Sequence, residues 1–280
     1  RRIVPGGISM LRKMLKYDIQ AMSKTFIPFF IAILVISVFS ALSMHLEWLI
    51  GIFGGATILF GLGIALFVTS LVLIITQFYK NVLGDQGYLT NTLPVSVDTI
   101  ILSKLFSAIF WLISSGIVAI LAFLIILMGS MDNVGDFFTS VAVVLQSAFD
   151  FISTPEYFKD ALLIILLLIL LFIFAVLLIA NEILHFYCAM SCSQIYPFTK
   201  NRIAGSFIAY LLINIPLSIL TAVLFSAVGF TGTSFEWIQN LSGYSMMFIA
   251  ILSVSLVILF LNILLYVPIR YILKNKLNLE

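Results

Sequence analysis

Residues 162–180 read LLIILLLILLFIFAVLLIA, a stretch without a single polar side chain. A helix that crosses a bilayer needs about 20 mostly apolar residues, because its backbone polar groups find no water there and must bond within the segment. The stretch therefore predicts a membrane-spanning helix. The whole chain agrees, since 62% of its 280 residues are hydrophobic, 9% are charged and the mean hydropathy is +1.23. Soluble domains hold only about 45–50% apolar residues, so the composition excludes the water-soluble classes.

Five further stretches on both sides of this one have the same apolar character. The predicted spans are residues 26–44, 50–78, 105–128, 162–188, 203–229 and 246–267. Each is bounded by charged or turn-forming residues. We therefore expect an all-α integral membrane protein, with six transmembrane helices inside a domain over residues 25–271 and a cytoplasmic tail over residues 272–280.

A seventh apolar segment, Phe137 to Ile152, is shorter and is interrupted by Gln146 and Asp150. With six spans and the N-terminus inside, only Lys159 of the fourteen lysines and arginines lies outside. Counting this segment as a span would place the basic residues that follow the fourth predicted span outside, which weakens the positive-inside asymmetry. We therefore predict that it is an external interfacial helix and that both termini are cytoplasmic.

The region before the first span has an amphipathic pattern. Between Met10 and Lys24, one helical stripe carries Leu11, Met14, Leu15, Ile19 and Met22, and the basic residues lie elsewhere. This predicts a basic amphipathic helix over residues 10–24 that lies on the inner membrane surface and binds lipid. Residues 1–9 lack the apolar core of a secretory signal, and we expect them to be a cloning remnant or an upstream extension.

The region between the second and third spans predicts a short rigid element on the cytoplasmic side. Gly84 and Gly87 indicate a turn, and Pro94 ends the short helix that follows them. Ser96 is suited to cap the next helix, with Asp98 favourably placed near its positive end. Two interpretations stay open, a docking site for a partner protein and a structured connector.

This region also carries a family resemblance. FYKNVLGDQGYLTNTLPVS, Phe78 to Ser96, followed by LSKL, Leu102 to Leu105, resembles the ABC-2-type permeases, the membrane subunits of bacterial ABC exporters, especially those of Gram-positive bacteria. SCSQIYPFTKNRIAGSF, Ser191 to Phe207, resembles the segment between the fourth and fifth spans of that family. The resemblance implies a multi-pass permease of the bacterial plasma membrane that exports its cargo.

The resemblance further implies two partners, a second permease copy and a cytoplasmic ABC ATPase. The second copy would form a homodimer with this chain, or a heterodimer if it is a related permease. The ATPase would dock on a coupling helix, and the residues matching the motif are Asp85, Gln86, Gly87, Tyr88, Leu89, Leu93 and Pro94. Gln86 stands where many relatives carry an acidic residue, so one ion pair with the ATPase is in doubt.

No phosphate-binding loop of the GxxxxGK[ST] type occurs in the chain, and no soluble segment is long enough for a nucleotide domain. We therefore expect no enzyme activity and no cofactor in this chain, with ATP and Mg²⁺ bound by the partner ATPase. We expect no nucleic-acid partner either. The scarcity of charge favours an amphipathic or hydrophobic cargo such as a membrane-active peptide, a drug or a lipid.

Three polar residues lie within the fourth predicted span, namely Asn181, Glu182 and His185. Ionisable groups are costly inside a membrane, which favours a role in a transport pathway, but polar packing near the cytoplasmic end explains them equally well. The alternative function is an ion- or proton-coupled secondary transporter or channel that uses Glu182 and His185 as a relay. A metal site that adds Cys188 and Cys192 matches no standard zinc spacing, and an intramembrane enzyme lacks a convincing nucleophile.

A GxxxG pair, Gly51 and Gly55, lies in the second predicted span. Such pairs let two helices approach closely. We expect the pair to pack within the chain, with a dimer contact as the alternative.

Overall fold

The computed structural model describes residues 7–84, 87, 95–131, 133–155, 157–195, 201–234 and 243–275. These residues form seven α-helices, one π-helical turn and short connections, without a strand. The helices are α1 (Gly7–His45), α2 (Leu49–Phe78), α3 (Val97–Gly129), α4 (Val134–Ser153), α5 (Phe158–Cys192), α6 (Arg202–Ser234) and α7 (Gly243–Asn275), and the π-helical turn (Tyr79–Leu83) follows α2. Every predicted span lies within a helix, and the chain is an all-α, multi-pass membrane protein.

Seven of the described helices are long and apolar enough to cross a membrane, one more than the six predicted spans. The additional helix is α4, which contains the segment Phe137 to Ile152 that is predicted to be an external interfacial helix. Its most apolar window has a mean hydropathy of 1.2, against 2.2 to 3.8 for the other six helices. None of its residues is buried.

Helix α1 differs from the expectation of a separate surface helix over residues 10–24. It continues without a break from Gly7 to His45 and through Pro28, which cannot donate a backbone hydrogen bond. Asp18, Met22 and Phe26 follow one another at four-residue spacing, and all three are buried. The first part of α1 therefore has one face buried in the protein, which a helix lying only on lipid would not have.

The chain divides into two compact units. We call Arg12–Ile74 with Phe106–Thr154 the N-terminal unit, and Arg1–Leu11 with Ile75–Leu105 and Pro155–Glu280 the C-terminal unit. In the C-terminal unit, α5 packs against α7 and α6, and α6 also contacts α7. The core of this unit therefore lies along α5.

One face of helix α7 is a regular apolar stripe that packs into this core. The buried residues Ile258, Leu261, Leu265 and Ile269 recur at three- and four-residue spacing, which is the pattern of one helix face. Asn262 interrupts the stripe and is buried as well. Its side chain therefore needs polar partners from a neighbouring helix.

The N-terminal unit is held by aromatic contacts and by closely packed small residues. The ring of Phe26 in α1 stacks on Trp111 in α3, with centroids 4.8 Å apart and planes 11° from parallel. A β-carbon on Gly51 would lie 2.5 Å from Ser43 Oγ, and one on Gly55 would lie 3.1 Å from Ser40 Cβ. Both glycines of the GxxxG pair thus face α1 of the same chain.

Candidate functional site

Asn181, Glu182 and His185 follow directly after the apolar stretch that ends at Ala180, in the last third of α5. Residues three and four positions apart share one face of a helix, so Glu182 and His185 lie one above the other. Glu182 is exposed, whereas His185 is only 8% exposed. One polar face of α5 therefore runs from an accessible carboxylate to a buried imidazole.

This face borders a cavity of about 240 Å³ between α5, α6 and α7, which we call the polar cavity. Its polar lining consists of Asn181, Glu182, His185, Asn214, Ser218 and Thr221. Its apolar lining consists of Leu178, Leu217, Ile258 and Leu261. Six of the ten lining residues are thus polar, although the helices around the cavity are mainly apolar.

The three polar α6 residues that line the polar cavity were not predicted from the sequence. Asn214, Ser218 and Thr221 follow one another at spacings of four and three, which places them on one face of α6. This regular spacing of polar residues inside an apolar span is the sequence signal that indicates a polar helix face. Pro216 lies among them, and α6 continues through it.

Among the described residues, His185 has one polar side-chain contact, and its second ring nitrogen has no hydrogen-bond partner. The amide nitrogen of Asn214 lies 3.4 Å from His185 Nδ1, a long contact, and 3.3 Å from the hydroxyl of Tyr210. His185 Nε2 is buried and has no hydrogen-bond partner among the described residues. A buried polar atom without a partner costs roughly 1–3 kcal/mol, so the imidazole lowers the stability of this part of α5.

Asn181 is held by a contact that the sequence did not reveal. Its amide nitrogen donates to Asn262 Oδ1 of α7 at 2.9 Å. The amide nitrogen of Asn262 donates in turn to the carbonyl oxygen of Leu177 at 3.1 Å. Interhelical hydrogen bonds of this kind average about 0.6 kcal/mol in a membrane protein, so the pair fixes the register of α5 against α7 more than it stabilises the fold.

The predicted coupling residues lie mostly outside the described part of the chain. This holds for Asp85, Gln86, Tyr88, Leu89, Leu93 and Pro94, whereas Gly87 is described and is buried. The backbone N–H of Gly87 donates to the carbonyl oxygen of Gly84 at 2.7 Å, as expected for a turn at these two glycines. We refer to Asp85 to Pro94 as the coupling segment.

The residues before the coupling segment are packed firmly into the C-terminal unit. Phe78, Val82 and Leu83 are at most 1% exposed. The ring of Phe78 stacks on that of Tyr187 in α5, with centroids 3.9 Å apart and planes 13° from parallel. This flank of the segment therefore rests on α5 only two residues beyond His185.

The residues after the coupling segment are attached to α7. Ser96 Oγ accepts the backbone N–H of Thr99 at 3.2 Å, which confirms the predicted cap. Asp98 Oδ1 accepts hydrogen bonds from the hydroxyl of Tyr266 at 2.7 Å and from Arg270 Nε at 2.8 Å. We call Asp98, Tyr266 and Arg270 the Asp98 cluster. The sequence placed Asp98 at the helix start without revealing these partners.

The Asp98 cluster gives a testable contribution to stability. Tyr266→Phe is expected to destabilise the protein by about 1 kcal/mol, because Asp98 loses one hydrogen bond. In an Asp98→Ala background the same change should have nearly no effect. The measurement is equilibrium unfolding in mixed detergent micelles. Tyr271→Phe, at an exposed tyrosine of the same helix, is the control, and an equal effect of Tyr266→Phe in both backgrounds would contradict the assignment.

The structure gives no support to a metal centre on α5. Within the described residues, no three His, Cys, Asp or Glu side chains are grouped closely enough to hold a metal ion. Cys188 and Cys192 are free thiols.

Gly51 and Gly55 belong to the N-terminal unit and do not line the polar cavity.

Comparison of the chain with protein-family models, with curated proteins and with solved structures finds no match in any of the three. The functional interpretation therefore rests on the polar cavity, on the contacts that flank the coupling segment, and on the motifs in the sequence.

Proposed function

We propose that this chain is the permease subunit of an ATP-binding-cassette exporter and that it works with a separate cytoplasmic ATPase. The sequence support is the resemblance of Phe78 to Ser96 and of Leu102 to Leu105 to the ABC-2-type permeases. The observation that carries the proposal is structural: both flanks of the coupling segment are packed on helices that line the polar cavity.

The contacts on these flanks provide a route for mechanical coupling. A force on the segment would reach α5 through the stacked rings of Phe78 and Tyr187, and α7 through the Asp98 cluster. The polar cavity lies between these two helices and α6. ATP-driven movement of the segment would therefore change the cavity by shifting the population of two helix arrangements.

The proposed topology has six spans, with both termini in the cytoplasm of a bacterial cell and α4 on the outer surface of the plasma membrane. The distribution of basic residues supports it. The structure of α4 also supports it: one helix face carries polar side chains that include Asp136, Gln146 and Asp150, and no residue of α4 is buried. An amphipathic helix of this kind suits a membrane interface.

The second permease copy, the outward direction and an amphipathic or hydrophobic cargo complete this proposal. Outward transport and pairing with an identical or related permease rest on the family resemblance. The mixed lining of the polar cavity supports the cargo class, because an amphipathic molecule has parts that match both kinds of wall.

A second candidate function is favoured by one observation. Glu182 and His185 border the same cavity, and the imidazole has a free nitrogen. Such a pair suits proton or ion transfer in a secondary transporter that works without an ATPase.

Co-expression with a candidate ABC ATPase separates the two functions. The permease proposal expects the ATPase to co-purify with the chain, and its ATP hydrolysis to rise when membrane-active peptides or drugs are added. An ATPase with its catalytic glutamate replaced serves as the control for hydrolysis. The opposite outcome would be proton-driven uptake or release of the same compounds by liposomes that contain the chain alone, together with no ATPase binding.

A further inference from the structure

The α6 wall of the polar cavity offers hydroxyl oxygens to a ligand. The hydroxyl of Ser218 donates to the carbonyl oxygen of Ile215 at 2.8 Å, and that of Thr221 donates to the carbonyl oxygen of Ser218 at 3.0 Å. Each hydroxyl has one hydrogen, which is used inside the helix, so its oxygen lone pairs are what remains for a ligand. The α6 wall therefore presents two acceptors at adjacent turns.

The two asparagines that line the cavity add amide oxygens. The amide nitrogen of Asn181 donates to Asn262, and that of Asn214 contacts Tyr210 and His185. The carbonyl oxygens of both asparagine side chains accept no hydrogen bond among the described residues. The groups left for a ligand on these side chains are therefore acceptors as well.

Glu182 gives the cavity a negative charge, and the described lining includes no lysine or arginine. His185 does not balance this charge, because it is buried and the amide nitrogen of Asn214 faces its Nδ1, an arrangement that fits a neutral ring. An unbalanced carboxylate is costly inside a membrane. A proton on Glu182 would remove the charge but would leave the four neutral side-chain oxygens without a partner.

The acceptor side chains are accessible. Glu182 and Ser218 are exposed, and Asn181, Asn214 and Thr221 are half-buried. A ligand that arrives at Glu182 therefore reaches the cavity without displacing a buried side chain. The cavity volume of about 240 Å³ is also far above the roughly 10–15 Å³ that one water requires, so a bound ion can keep water among its ligands.

This set of acceptors suits a monovalent metal ion. Hard cations take oxygen ligands from carboxylates, carbonyl groups and water, and divalent ions bind more tightly as the number of carboxylates rises. The described lining has one carboxylate, which matches a single positive charge. An alkyl ammonium group has three hydrogens to donate, fewer than the acceptors present, whereas neutral oxygens can replace the hydration shell of an alkali ion.

We propose that the polar cavity binds one alkali cation, Na⁺ or K⁺. Glu182 balances the charge of the ion, and water completes its shell. The neutral protein ligands are the amide and hydroxyl oxygens of Asn181, Asn214, Ser218 and Thr221. This inference goes beyond both candidate functions, because binding by the chain alone needs neither an ATPase nor transport. A negative result would therefore leave the outcome of the co-expression experiment unchanged.

The test is equilibrium binding of radiolabelled Na⁺, and of radiolabelled Rb⁺ as a K⁺ analogue, to the full chain in phosphatidylcholine nanodiscs. Scintillation proximity reports the bound ion, choline chloride keeps the ionic strength constant, and empty nanodiscs give the background. We expect saturable binding of one ion per chain, which unlabelled Na⁺ or K⁺ displaces and choline does not. The ion that binds more tightly decides between Na⁺ and K⁺.

Variants locate the binding. Glu182→Gln should weaken it at least about tenfold, because the ligand charge is lost, whereas Asp160→Asn, about 33 Å away along the same helix, should leave it unchanged. Thr221→Val removes one neutral acceptor and should weaken binding about threefold. Its matched control is Thr57→Val, which removes a hydroxyl that donates to the carbonyl oxygen of Phe53 at 2.8 Å and does not line the cavity. This pair decides the question if Glu182→Gln does not fold.

Three results would overturn the proposal: no saturable binding of either ion, equal binding to the chain and to folded Glu182→Gln, or equal effects of Thr221→Val and Thr57→Val. Tighter binding of methylammonium than of either alkali ion would also overturn it, since the acceptors would then serve an organic ammonium group.

Discussion

Gly129→Ala is expected to destabilise the N-terminal unit by about 3 kcal/mol or to prevent its folding, at the upper end of what overpacking costs. A β-carbon at Gly129 would lie 2.5 Å from both the β-carbon and the carbonyl oxygen of Ala41. These atoms belong to α1 and its backbone, so no side-chain rotation relieves the contact. The two helices must separate instead, and close-packed interiors resist that.

The matched control is Gly116→Ala on the same helix. A β-carbon there meets nothing within 4 Å, so alanine should be neutral or stabilising by up to about 1 kcal/mol through its higher helix propensity. The measurement is thermal unfolding of each purified variant in the same detergent, together with the yield of monodisperse protein. Equal melting temperatures for the two variants would show that Gly129 is not a close contact.

Gly55→Ala tests the same idea in a milder form. Its nearest neighbour is the hydroxyl of Ser40, with the β-carbon of that serine 3.1 Å away. A hydroxyl rotates more easily than a backbone moves, so the effect should be smaller than at Gly129.

The second large effect is expected in the coupling segment. If the proposed exporter function holds, replacing Tyr88 and Leu89 together by aspartate should lower ATP-dependent export at least about tenfold. The reason is that apolar and aromatic anchors of the proposed ATPase interface give way to charges that must be desolvated. Membrane insertion should be unchanged, since no predicted span is altered. The measurements are export by whole cells, co-purification of the ATPase, and the amount of chain in the membrane fraction.

Tyr17→Asp provides the control for this prediction. Tyr17 is 70% exposed, precedes the first predicted span and lies outside the coupling segment in the sequence. In the proposed six-span topology, the variant therefore places a new charge on the cytoplasmic side. If the Tyr88 and Leu89 variant keeps unchanged export and normal ATPase binding, the coupling segment does not have the proposed coupling role.

The helices could be predicted because apolar length is a local property. The stretch from Leu162 to Ala180 requires a spanning helix in any context, and the structure has α5 there. The number of spans could not be fixed in the same way. Helix α4 combines a marginal hydropathy with an amphipathic pattern, and composition alone accepts it as a span. Residues 10–24 also continue into the first span, because no turn-forming residue separates the two and the helix tolerates Pro28.

Only the α5 residues of the polar cavity could be predicted from the sequence. Glu182 and His185 stand out because ionisable residues are rare in apolar helices. Their surroundings depend on which helices meet and in which register. Asn262 lies 81 positions from its partner Asn181, and Tyr266 lies 168 positions from Asp98. No spacing rule along one helix connects such residues, so these contacts required the folded structure.

Helix α4 has an evolutionary consequence. Because none of its residues is buried in the protein, no individual side chain there is fixed by a partner that fits it. Its apolar residues are interchangeable as long as they stay on one face, and its polar face tolerates any side chain that water accepts. We expect related sequences to diverge fastest over Val134–Ser153 in identity while they keep the alternation of the two faces, which is a constraint on pattern alone.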